Sequence, residues 1–162
     1  MSSRVDPNAP RGLPDGEFSE IHLAARARDV DRVKAQLDSG MPVDLRNPTL
    51  ANGDGGNTPL WFAAQGPWEG GLPVARLLLE SGADVNAGCE HGWSPVHIAA
   101  VWGHGDVVQL LHGAGADMNG RDADGRTPEE CARYFYEWRC QHMPEEARRD
   151  AVEYFDSLTS DH

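Results

Sequence analysis

The chain has few cysteines, a single lysine and no long apolar run. Cys89, Cys131 and Cys140 are an odd number, too sparse in 162 residues for a disulfide framework, and they point to a reducing compartment. No stretch approaches the roughly 18 apolar residues a spanning helix needs, and the start MSSRVDPNAP lacks the apolar core of a leader. A cytoplasmic location is therefore expected. Positive charge is scarce: 14 Lys+Arg against 26 Asp+Glu leave a formal net charge of -12. This excess argues against nucleic acid and anionic membranes as partners, because both are bound through cations that neutralise phosphates. It favours a basic protein instead, through electrostatic steering. Lys34 stands alone among thirteen Arg, in a chain rich in Ala, Gly and Pro, a composition that GC-rich coding favours.

What is present is a repeat. GNTPLWFAA at 56–64, GWSPVHIAA at 92–100 and DGRTPEECA at 124–132 align, and SEIHLAA at 19–25 keeps the second half of the pattern. A second block recurs as LDSGMPVD at 37–44, LESGADVN at 79–86 and HGAGADMN at 112–119. In the first block Thr58-Pro59, Ser94-Pro95 and Thr127-Pro128 place a capping hydroxyl ahead of a proline at the first helical position. In the second, Gly40, Gly82 and Gly115 fall where a helix ends in a left-handed residue. The pairs Ala24-Ala25, Ala63-Ala64 and Ala99-Ala100 let neighbouring first helices approach closely. Leu77, Leu78, Leu79, Val107, Val108, Leu110 and Leu111 supply the apolar face of second helices.

These two motifs, recurring in register, resemble the ankyrin-repeat family over about residues 16–158. The resemblance implies an all-α solenoid of about four repeats, each a hairpin loop followed by two antiparallel helices. The units fall at about 16–48, 53–88, 89–121 and 122–158, with flexible tails at 1–15 and 159–162. Two insertions are expected, one in the loop 46–57 and one between helices in 66–73. The fourth unit departs from the pattern after Ala132: ARYFYEWRCQHM continues as helix, and a second helix over 144–158 is read as a C-terminal cap.

Catalysis finds little support. No phosphate loop, HExxH or GxSxG occurs, and the Cys and His spacings match no zinc pattern, so neither a cofactor nor a metal is expected. His22 and His97 hold the family's histidine position, which implies a structural bond between adjacent loops. Trp61 replaces that histidine in the second unit. Thr58, Ser94 and Thr127 are structural as caps.

The residues left open by the scaffold form the candidate interface. In the second unit they are Asp54, Asn57, Gln65 and the inserted Trp68. In the third they are Glu90, His91, Trp93, Val101 and Trp102, and in the fourth Asp124, Arg126, Arg133 and Tyr134. Trp93 and Trp102 are the expected anchors, since aromatic side chains dominate interface energetics. The resemblance implies a protein-binding module and no enzyme. An acidic stand-alone module of this size is similar to ankyrin-type immunity proteins that neutralise toxin domains. That similarity implies a monomer inhibiting one basic protein. The alternative is an intracellular regulator or adaptor similar to the four-repeat kinase-inhibitor ankyrin proteins.

Overall fold

The computed structural model describes residues 18–48, 55–66 and 71–139, and every regular element within them is a helix. In chain order these are α1 (Glu20–Arg26), α2 (Val30–Asp38), α3 (Pro59–Ala64), α4 (Gly71–Glu80), α5 (Pro95–Trp102), α6 (Gly105–Gly113) and α7 (Pro128–Arg139). None is long and apolar enough to cross a membrane. The helices α3, α5 and α7 open on proline, whose missing N–H would have no partner in a first turn anyway. Ahead of α3, Thr58 Oγ1 accepts the Trp61 N–H at 3.3 Å. Ahead of α7 the cap is reciprocal: Glu130 N–H donates to Thr127 Oγ1 at 3.3 Å, and Thr127 N–H to the Glu130 carboxylate at 2.8 Å.

The second helices α2, α4 and α6 stop in the same way. Gly40, Gly82 and Gly115 have φ of 89°, 91° and 94°. The next amide then reaches back into the last turn, Met41 to Gln36 O at 3.1 Å, and Ala83 to Leu78 O and Ala116 to Leu111 O at 3.0 Å each. Beyond the first two stops an Asx side chain spans to the following repeat. The Asp44 carboxylate accepts the Asp84 N–H at 3.1 Å, and Asn86 Oδ1 accepts the Asp117 N–H at 2.8 Å. The closing D or N of the LDSGMPVD and LESGADVN blocks is thus an inter-repeat clasp.

The first helices α1, α3, α5 and α7 stack in one row, and α2, α4 and α6 in a second. The alanine pairs are buried where the first row closes up, while Val33, Val74, Leu78, Val108 and Leu111 fill the space from the second row. Each such Val or Leu contributes about 1.5–3 kcal/mol by leaving water. Helix α7 has 12 residues where α1, α3 and α5 have 7, 6 and 8, so the fourth unit stays helical where its predecessors turn. The cap at 144–158 and the tails at 1–15 and 159–162 lie outside the described residues.

The turns inside repeats carry two special contacts. Gly103 ends α5 at φ 77°, and the corresponding residue of the first repeat is Arg28, at φ 60°. The Arg28 guanidinium donates to Arg26 O at 3.0 Å and to Gln65 O at 2.7 Å. From the other side His104 Nε2 meets Gly66 O at 2.6 Å. The start of the 66–73 insertion is therefore held by both neighbouring repeats. At Gly71 a Cβ would lie 2.2 Å from Ala63 O, so only glycine lets α4 pass α3 this closely.

Candidate functional site

The site is built on the hairpins, and the hairpins are fixed by buried polar groups. His22 Nε2 faces Leu45 O at 2.6 Å, and Ser19 Oγ lies 2.9 Å from Nδ1. His97 Nε2 faces Arg126 O at 3.2 Å, and Nδ1 takes the Ser94 hydroxyl at 2.7 Å and the Ser94 N–H at 3.3 Å. A carbonyl cannot donate, so in both rings Nε2 carries the hydrogen and Nδ1 accepts. Burial pushes both imidazoles below the ordinary histidine range, against the pull of their carbonyl partners. Each ring ties its own helix start to the loop that opens the next repeat. Trp61 takes the equivalent position in the second repeat, where its indole N–H is buried without an acceptor among the described residues.

Successive hairpin tips are joined by backbone bonds. Glu90 N–H donates to Gly55 O at 3.2 Å, and Ala123 N–H to His91 O at 3.0 Å. Arg46 adds a side-chain bridge, donating to Gly56 O at 2.8 Å and to Gly88 O at 2.7 Å.

On this frame the candidate residues separate. Glu90 and His91 are exposed on the third tip, as are Asp124, Arg133 and Tyr134 in the fourth unit. Trp93, Arg126 and Gln65 are half-buried. Val101, Trp102 and Asn57, expected on an open face, are buried at 8% exposure each. The reason is packing: Val101 and Trp102 close the last turn of α5, where the Trp102 ring joins the apolar cluster between repeats. Asn57 is enclosed because its N–H donates to Asn47 Oδ1 at 2.7 Å inside the second hairpin. Asp54 and Trp68 lie outside the described residues.

In place of a Trp93–Trp102 pair, the structure brings together a strip of three rings. Trp93 and Phe135 meet edge to face with centroids 5.4 Å apart, and Phe135 meets Tyr134 likewise at 5.5 Å. Tyr134 is 55% exposed, the one large hydrophobic side chain so open among the described residues. The Arg126 guanidinium lies 4.2 Å from the Tyr134 ring centroid and also donates to Asp124 at 2.9 Å. Sequence reasoning missed Phe135. Its only signal was the run ARYFYEW, where apolar rings continue past the normal end of a first helix.

Beneath the strip lies Asp122, which is buried. Its Oδ1 accepts the N–H of Asp124 at 2.9 Å and of Arg126 at 2.8 Å, while Oδ2 accepts the Trp93 indole N–H at 3.0 Å and the Cys131 thiol at 3.2 Å. Burial would raise this carboxyl, but the hydrogen bonds from Arg126, Cys131, Asp124 and Trp93 outweigh it and hold the group below the ordinary range. Burial first, and then the adjacent carboxylate, push the Cys131 thiol up to about 12. Such a thiol carries little thiolate at neutral pH and is a poor nucleophile.

Helix pairs stacked through joined hairpins define a repeat scaffold for binding proteins. The family model for ankyrin repeats, in three copies, matches residues 21–122, and the chain belongs to the ankyrin-repeat family. It is 41% identical over 69 residues to an ankyrin repeat-containing protein of Schizosaccharomyces pombe, covering 43% of this chain and 32% of that one. It is 38% identical over 106 residues to human Rabankyrin-5, covering 61% of this chain and 9% of the other. It is also 38% identical over 61 residues to human protein phosphatase 1 regulatory subunit 27, covering 38% and 40%. The chain thus spans no more than 40% of the length of these relatives. Its repeats make it a protein-binding module.

Proposed function

We propose that this chain inhibits one basic protein by binding it in a one-to-one complex, in the manner of an immunity protein that neutralises a toxin domain. The observation that carries the reading is the ring strip Trp93–Phe135–Tyr134, with the exposed acids Glu90 on the tip that carries Trp93 and Asp124 on the next. Aromatic side chains at the centre of an interface are its usual energetic anchors, about 2 kcal/mol or more each. The acid excess brings a basic partner to them, and the tips and Arg133 form the polar rim. A cytoplasmic, monomeric free state accords with this role.

The likeness to a protein phosphatase regulatory subunit supports a second reading, a regulator or adaptor acting through the same face. Affinity capture from native lysate tests both, with the wild type beside a Trp93→Ala/Tyr134→Ala variant. A basic protein held by the wild type and lost by roughly a hundredfold or more in the variant is the expected outcome. Loss of that protein's activity at one equivalent identifies an inhibitor, whereas intact activity identifies an adaptor. Equal capture by wild type and variant would overturn the assignment of the face.

A further inference from the structure

The two oxygens of Asp122 do different things. Oδ1 closes the fourth hairpin by accepting the Asp124 and Arg126 N–H groups. Oδ2 is not needed for that turn. It accepts the Trp93 indole N–H and the Cys131 thiol, from the third tip and from α7 respectively. The counterpart positions carry other groups: Asn47 in the second hairpin, whose Oδ1 accepts the Asn57 N–H, and Cys89 in the third.

From this arrangement we infer that Asp122 is a positioning residue that fixes the Trp93 ring for the partner. The inference rests on the proposed role of Trp93 as an anchor. Trp93 is 29 residues away in the chain, and without this bond its side chain would rotate about χ1 and χ2 on a half-open tip. The carboxylate holds the N–H end and Phe135 abuts the ring at 5.4 Å, so the rotamer is set before the partner arrives. That lowers the ordering cost of binding. It also decides the chemistry that fits. With its only donor engaged, Trp93 presents ring carbons and a π face, which suit the methylene stem and cationic head of a Lys or Arg and offer nothing to an acceptor.

The decisive substitution is Asp122→Asn. An asparagine can keep its oxygen on the two backbone N–H groups, which turns its NH2 toward the indole N–H and the thiol, donor against donor. The Trp93 signal in the 15N-labelled full chain is the indole resonance that disappears in Trp93→Phe. In Asp122→Asn its exchange with solvent is expected to rise by about tenfold or more, while the other four indoles of the five tryptophans hold their rates. Equal protection in Asp122→Asn and wild type would overturn the inference. If Asp122→Asn does not fold, the wild type decides: a Trp93 indole protected about tenfold relative to a free indole N–H supports it, and an unprotected one overturns it. The proposed function fails by a different route, when Trp93→Ala/Tyr134→Ala still captures the partner, and that result leaves the indole measurement untouched.

Discussion

At the scale of single residues, buried polar groups set how this protein responds to acid. His22 and His97 are held neutral in the folded state, with their affinity for a proton below that of unfolded histidine. The unfolded chain therefore takes up protons first. The stability these rings contribute is complete above the unfolded value of about 6.5 and falls as pH drops through it toward the folded values. Asp122, depressed as a carboxyl, contributes stability above the ordinary carboxyl range and loses it as pH falls further, through its own folded value. Calorimetry should show Tm declining in two stages, and a His22→Gln/His97→Gln variant should lose most of the slope between about pH 7 and 5. An unchanged slope in that variant would exonerate the histidines. Trp61 supplies the converse case, a buried donor with no acceptor among the described residues. Trp61→Phe removes the orphan N–H and keeps most of the ring, so its urea midpoint should match or exceed the wild type. Trp61→Ala should lose about 3–5 kcal/mol.

At the scale of elements, glycines that look alike in sequence have opposite tolerances. A Cβ at Gly71 collides with Ala63 O, where α4 passes α3, whereas a Cβ at Gly113 near the end of α6 meets nothing within 4 Å. Gly71→Ala should cost about 1–3 kcal/mol, and Gly113→Ala should gain about 0.4–1 kcal/mol by restricting the unfolded chain. Chemical denaturation of both variants checks the pair. The helix starts and stops were legible in the sequence, because a hydroxyl before proline and a glycine after an apolar run act through local backbone geometry. The repeat register was legible for the same reason. The site was less so. Trp93 was found as a ring the scaffold does not require, but the burial of Trp102 and Val101 depends on neighbouring repeats that no local pattern records. Asp122 and Gly125 fit a D-x-x-G turn in the sequence, and such a turn uses only one of the two carboxylate oxygens. The second becomes visible only when α7 and the third tip are side by side.

At the scale of the whole molecule, the net charge of -12 acts beyond any contact. Potentials of this kind speed the encounter with an opposite charge and are screened over about 8 Å at physiological salt. The association rate with the captured basic partner should fall by at least about tenfold between low and high salt, with a much smaller change in dissociation. Stopped-flow mixing across a salt series measures this, and a salt-independent association rate would place the acid excess outside recognition.

The bonds that join Glu90 to Gly55 and Ala123 to His91 do more than steady the tips. They lock the tips at the rise of the stack, about 8–10 Å from one packed helix to the next. On the proposed interface this spacing would act as a gauge. A ligand with suitable charges and side chains at the wrong pitch can engage one tip but not two, because meeting the second would mean breaking a main-chain bond. Discrimination at that proposed interface would thus be partly a matter of length, measured in steps that the backbone has already marked out.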